Sequence, residues 1–174
     1  MENKIISSAE KRKANIIKNI VTSASRKAEI SIPSPRKHKL TINEKNYVWS
    51  TNKEKIGVIR KGLPYAAIEY ISKRTNIPVK HYLESLEIVQ TTYNKKKKSN
   101  AGLSKQDSEF IVELTELYEF GLNVFNNEEE KFQRWLRKRN ISLGNSKPES
   151  LFDSLVGINE VKKALNRLEY GNMA

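Results

Sequence analysis

Residues 132–171 read FQRWLRKRNISLGNSKPESLFDSLVGINEVKKALNRLEYG. Three helical patterns are separated here by turn residues. Phe132, Trp135 and Leu136 stand at i, i+3 and i+4, one face of a helix. Leu143 to Lys147 reads as a turn, in which Gly144 and Asn145 tolerate positive φ. Pro148 suits a helix start, where its missing donor costs nothing. Leu151, Phe152 and Leu155 repeat the spacing, and Gly157 is placed to end that second helix. Val161, Ala164, Leu165 and Leu168 line a third helix, which Gly171 closes.

Upstream, Ser104-x-x-Asp107 opens the longest helical pattern. Phe110, Ile111, Leu114, Leu117, Tyr118 and Phe125 give it a continuous apolar face, and Glu109, Glu113, Glu116 and Glu119 fall mostly opposite. Asn126-Asn127 ends this helix and caps the next, whose first turn holds Glu128 to Glu130, favourable to its dipole. Further back, Thr51-x-x-Glu54 is a capping box. Ile56 and Ile59 follow, Gly62 ends that helix, and Leu63-Pro64 opens another with Ile68 and Ile71 inward. Asn76-Ile77-Pro78 breaks it.

Two short helices come next. Val79, Tyr82, Leu83 and Leu86 make the first amphipathic, Glu87-Ile88-Val89 is a tight break, and Gln90 to Lys98 forms the second. A polar opening followed by a basic run is how a helix-turn-helix reads. Gln90 and Asn94 suit adenine edges, Thr91 and Thr92 suit a base or a thymine methyl, and Lys95, Lys96, Lys97 and Lys98 suit phosphates. The plainer reading is a solvated basic helix end. The break lacks the glycine often seen in this motif.

Charge divides the 174-residue chain. Residues 1–55 hold 13 Lys/Arg against 5 Asp/Glu, residues 56–103 hold 9 against 3, and residues 104–174 hold 10 against 12. A basic front and a near-neutral back point to two partners, a polyanion for the front. Residues 1–50 have weak periodicity and a Ser-Ile-Pro-Ser-Pro stretch; Ala14 to Val21 suits a short helix, and Leu40, Ile42, Tyr47, Val48 and Trp49 are strand-favouring types. This leader is either a basic arm for DNA phosphates or a solvated tail.

Absent features exclude much. There is no cysteine, so no disulfide, thiolate site or cysteine nucleophile, which fits a cytoplasmic location. No apolar run is long enough for a membrane span. His38 falls in the leader and His81 on the first helix of the helix-turn-helix, where exposure is expected. No metal-protease, phosphate-loop or dinucleotide motif occurs. Glu128 to Glu130 are adjacent and point different ways on a helix. No catalytic residue, metal site or cofactor is expected, and no enzyme activity.

The ordered set Trp135-Leu136, Leu143-Gly144, Pro148, Leu151-Phe152, Gly157, Val161, Leu165 and Tyr170-Gly171 resembles the toxin-binding domain of the Xre/MbcA/ParS antitoxins. Asn145 stands where a second Gly is common, which Asn tolerates. Lys147 stands where Thr or Ser usually caps the helix, leaving Ser146 to cap one residue earlier or the end to fray. Ile59-Arg60-Lys61-Gly62-Leu63-Pro64, with the helices after it and Leu103-Ser104, resembles the Xre-like N-terminal part of the same family. The resemblance covers residues 51 to 174.

The expected fold is all-α: a basic, weakly structured leader (1–50), an Xre-like helix-turn-helix domain (51–103), a linking and dimerisation helix (104–126) and a toxin-binding domain (127–174). The resemblance implies an antitoxin that neutralises a co-encoded toxin, of the RES type that consumes NAD, by covering its NAD pocket. It also implies binding to operator DNA for autoregulation, as a homodimer within a toxin–antitoxin hetero-oligomer. On that reading Trp135 is either a core anchor or an interface anchor. Arg167 meets an acidic rim on the toxin. Tyr170, Gly171, Asn172, Met173 and Ala174 form a tail of at most about 17 Å, whose carboxylate pairs with pyrophosphate-binding cations. The plainer view of that tail is a frayed end. The alternative function is a stand-alone helix-turn-helix repressor whose C-terminal domain serves dimerisation; a nucleoid-type basic protein is a third.

Overall fold

Ile111, Leu114 and Leu117 have no exposed surface, and the helix that carries them is the one on which the other elements are assembled. The computed structural model describes residues 36–171. In order these form β1 (His38–Ile42), β2 (Lys45–Trp49), α1 (Asn52–Lys61), α2 (Ala66–Thr75), α3 (Val79–Ser85), α4 (Gln90–Lys98), α5 (Lys105–Val124) and α6 (Glu129–Arg137). Two 3-10 turns, Ile141–Leu143 and Pro148–Leu151, lead to α7 (Leu155–Gly171). The class is all-α, with one two-stranded hairpin added.

The central helix α5 starts where its sequence says. Ser104 Oγ accepts from the Asp107 amide at 3.0 Å. It buries nine residues, and α1, α2, α6 and α7 all pack on it. Each fully buried Leu or Phe contributes about 1.5–3 kcal/mol, so this stripe carries much of the core. It ends at Asn126, in the left-handed region at φ 54°, while the Asn127 amide reaches back to Leu122 O at 2.7 Å. Asn127 does not cap α6; the N-cap is Glu128, without a side-chain cap. The crossing of α5 and α6 depends on Gly121. A Cβ there would lie 2.1 Å from the Phe132 ring, so only a bare backbone lets that ring seat.

The front helices follow their local signals. Thr51 and Glu54 make the reciprocal capping box, and Gly62 ends α1 at φ 77°. Ile68 and Ile71 of α2 face inward, and Asn76 closes that helix in the left-handed conformation.

One boundary moves. The folded body does not begin at Thr51 but before His38. Strands β1 and β2 pair antiparallel through Asn43 and Glu44, both at positive φ, which matches the strand twist of a two-residue hairpin. Leu40, Ile42, Tyr47 and Trp49 all turn to one face and are buried. Helices α1 and α2 pack against the hairpin, and the acidic side of α5 meets its ends. Trp49 Nε1 donates to Glu116 at 2.7 Å, and His38 Nδ1 meets Glu119 at 2.6 Å while its ring stacks on Trp49. Lys55 of α1 donates to Glu116 at 2.9 Å and also to Glu113. Glu113, Glu116 and Glu119 are therefore a docking face, not a solvated one. The helix expected over 14–21 and the Ser-Pro stretch through Pro35 lie outside the described residues, as do Asn172, Met173 and Ala174.

A second correction concerns Gly157, which does not terminate a helix. The segment 148–151 makes only a 3-10 turn, and α7 starts at Leu155 and runs through Gly157. Ser154 Oγ accepts from the Gly157 amide at 3.1 Å, a start signal rather than a stop. Gly157 is buried against the Leu151 carbonyl, 2.1 Å from where a Cβ would sit. Its missing side chain is used for close packing. Lys147 precedes the 3-10 turn with no side-chain cap, and Ser146 supplies its carbonyl to Asn140 instead of a cap.

Candidate functional site

The turn between α3 and α4 closes without glycine. Glu87 takes φ 54°, its amide donates to Glu84 O at 3.1 Å, and the Ile88 amide donates to Leu83 O at 2.8 Å. Those two bonds satisfy the last carbonyls of α3 and offset the cost of a non-glycine residue there. Below the turn, Tyr82 is fully buried and its hydroxyl meets Thr75 Oγ1 at 2.7 Å. Burial pushes its pKa well above the ordinary tyrosine value, so it stays a neutral strut.

Helix α4 buries one side chain. Tyr93 is buried, tilted against Tyr65 at 6.4 Å. Gln90, Thr91, Thr92, Asn94, Lys95, Lys96, Lys97 and Lys98 are all exposed. The sequence-predicted base-reading and phosphate-holding residues thus surround the helix on every side but that of Tyr93. Gln90 Nε2 donates to Asn94 Oδ1 at 3.1 Å, which orders both amides. Lys97 is the one lysine of the four paired with a carboxylate among the described residues. Its hydrogen bond to Glu69 raises its pKa, and the ammonium lies 5.8 Å from the Tyr93 ring centre. Lys95, Lys96 and Lys98 are the better phosphate candidates. His81 of α3 is half-buried rather than exposed, its ring edge against Tyr82 and its Nε2 without a partner among the described residues. This corrects the expectation of exposure: His81 lines a cleft between α3 and the start of the second 3-10 turn, shared with Ile77, Lys147 and Glu149.

The second surface belongs to α6, α7 and the loop between them. Phe132, with no exposure, is the core anchor of this region, and it contacts Tyr118 and Phe125 at 5.2 and 5.5 Å between centroids. Trp135 is half-buried, stacked on Phe132 at 6.2 Å, with part of its indole at the surface. The choice between core and interface thus divides: Phe132 holds the first role and leaves Trp135 open to the second. Tyr118 donates to Glu129 at 2.9 Å and accepts from Gln133 at 2.9 Å; burial, more than Glu129, pushes its pKa up to about 12.

Arg167 is exposed and donates to Ser142 O at 3.5 Å. Tyr170 is 64% exposed, and Gly171 is the last described residue of α7. Beside α6 lies a cleft of about 910 Å³ lined by Lys73 of α2 and by Glu129, Glu130, Arg134, Arg137 and Lys138. Two exposed apolar residues escaped the sequence reading: Ile141 at 91% and Val156 at 74% exposure. Neither lies in a periodic stripe, which is why pattern alone passes over them.

This arrangement matches a known family in the same region. Residues 121–171 match the family described as the antitoxin Xre/MbcA/ParS C-terminal toxin-binding domain. A protein of a Sphingobium species named Prs ADP-ribosylating antitoxin is 29% identical over 129 residues, 70% of this chain and 81% of that protein. One of Photorhabdus laumondii named Antitoxin Xre is 21% identical over 114 residues, 66% of this chain and 77% of that protein. The chain thus carries a segment that matches the Xre/MbcA/ParS toxin-binding domain, and over about two thirds of its length it is similar to proteins named as antitoxins. The matched segment begins at Gly121, so the family domain takes in the end of α5 and the site where Phe132 seats. By its description, the matched domain is one that binds toxins. Among the described residues no helix is long and apolar enough to cross a membrane.

Proposed function

We propose that this protein is an antitoxin that silences a co-encoded, NAD-consuming toxin of the RES type by covering its active site, and represses its own operon through α4. The observation that carries the first half is the match of residues 121–171 to a toxin-binding domain. The name of the Sphingobium relative adds to it, since ADP-ribosyl transfer takes NAD as donor. Inhibition is steric and the antitoxin contributes no catalytic group or cofactor. Trp135, Arg167 and Tyr170 meet the toxin from the α6–α7 surface, and Gly171 leads Asn172, Met173 and Ala174 toward its NAD pocket.

The second half rests on α4, where eight polar or basic side chains face outward around one buried tyrosine. Gln90, Thr91, Thr92 and Asn94 read bases, while Lys95 to Lys98 hold phosphates. A homodimer presents two such helices to a palindrome. The domain divisions at 103/104 and 126/127 belong to this reading, with α5 as the link between the two activities.

The test is co-expression with the product of the adjacent gene. A complex that co-purifies, restores cellular NAD and shifts operator DNA in preference to random DNA fits the proposal. Operator binding without any complex leaves the stand-alone repressor.

A further inference from the structure

The loop between α6 and α7 is more tightly built than a connector requires. The Asn140 amide donates to Ser146 O at 3.0 Å, and the Leu143 and Asn145 amides both return to Asn140 O at 3.0 and 2.9 Å. Asn140 Oδ1 accepts from the Ser142 amide and hydroxyl at 2.9 and 2.8 Å. Gly144 and Asn145 take the left-handed turn that closes the loop. Two guanidinium groups brace it from outside: Arg139 donates to Asn145 O at 3.0 Å and Arg167 to Ser142 O at 3.5 Å. Leu143 packs inward on the core. Ile141 is left at the tip, with 91% of its surface in solvent, the most exposed large apolar residue among those described.

Scattered exposed apolar residues are ordinary. This one differs in its support. A rigid loop holds the side chain in a fixed place, so little conformational entropy is lost when a partner covers it. Arg139 and Arg167 make no ion pair with an acidic side chain among the described residues and keep donors to spare. Lys138 and Lys147 flank the same segment, which has no acidic residue between Lys138 and Pro148. The loop also lies inside the matched segment 121–171.

From this we infer that Ile141 is the central anchor of the toxin interface, inserting into an apolar socket whose rim carries carboxylates. The inference rests on the toxin-binding reading and names the partner's surface: a hydrophobic pocket sized for a branched four-carbon side chain, with Asp or Glu placed to meet Arg139 and Arg167. A buried apolar anchor ringed by polar contacts is the usual layout of a binding hot spot. The cations around it favour encounter with an acidic surface and screen with salt.

The experiment uses the full chain and the purified product of the adjacent gene, with affinity measured by titration. Ile141→Asp is expected to weaken the complex at least about thirty-fold, and Ile141→Ala about ten-fold or more. Both should keep the wild-type melting temperature, because the side chain touches little in the free protein. Ile141→Leu should retain most affinity, and Arg167→Gln should flatten the salt dependence. Should the wild-type chain fail to bind the product at all, the toxin-binding reading fails, and this inference with it. Binding by wild type together with Ile141→Asp binding within about three-fold overturns the inference alone.

Discussion

Helices α4 and α7 each carry a proposed interface, but they relate to the core in opposite ways. Helix α4 buries Tyr93 and presents everything else to solvent. Helix α7 buries Gly157, Ile158, Val161, Ala164 and Leu165 and interleaves them with exposed positions such as Arg167 and Tyr170. Function on α4 is therefore separable from stability, residue by residue. On the C-terminal side, binding and folding share one scaffold, and only positions such as Ile141, Arg167 and Tyr170 isolate the former.

The largest effect should come from the C-terminal core. Phe132→Ala empties a site in contact with Gly121, Tyr118 and Phe125 and should cost about 3–5 kcal/mol in thermal or denaturant unfolding. Trp135→Ala, at a half-buried position, should cost clearly less while impairing toxin binding. Equal losses for both would break the division drawn between anchor and interface. Next comes the hairpin. Leu40→Ala should cost about 2–5 kcal/mol, as a core residue does. A value near zero would return this segment to the leader.

A smaller effect lies in pH. Burial raises the Glu116 pKa, but hydrogen bonds from Lys55 and Trp49 outweigh it and hold the carboxyl below its ordinary value. A depressed carboxylate stabilises above its unfolded pKa, about 4.3, and that contribution disappears as pH falls through the lower folded value. Burial lowers the Lys55 pKa, and the bonds to Glu113 and Glu116 more than reverse this. Its contribution is complete below the ordinary lysine value and disappears as pH rises through the raised one. Glu116→Gln should lower the neutral-pH melting temperature and show a shallower fall than wild type on acidification below about pH 4. Parallel curves for the two proteins would contradict the assignment. The smallest stability effect is on α4: Lys96→Ala should stay within about 0.5 kcal/mol yet reduce the salt slope of operator binding by about one. An unchanged slope would remove Lys96 from the phosphate contacts.

Local signals made much of this fold legible. The Thr51–Glu54 box, Ser104 and Asn76 each act within four residues, and the structure follows them. Helix α4 has no side-chain cap at Val89 and was legible instead from its polar opening and the basic run that follows. What pattern does not carry is partnership across the chain. Trp49 and Glu116 are separated by 67 positions, so strand-favouring residues before Thr51 gave no hint of the surface that would cover them. Gly157 failed in another way. A glycine that stops a helix and one that lets two backbones meet look alike in sequence, and only the Leu151 carbonyl tells them apart. Ile141 sat outside any period, and its exposure follows from a loop held by backbone bonds.

The most direct test of the central claim is NAD turnover by the purified adjacent-gene product, titrated with the full chain. The account predicts that turnover falls to background at a fixed molar ratio, with Ile141→Asp needing far more protein to reach the same point. Undiminished turnover under saturating antitoxin, with operator binding intact, would contradict it.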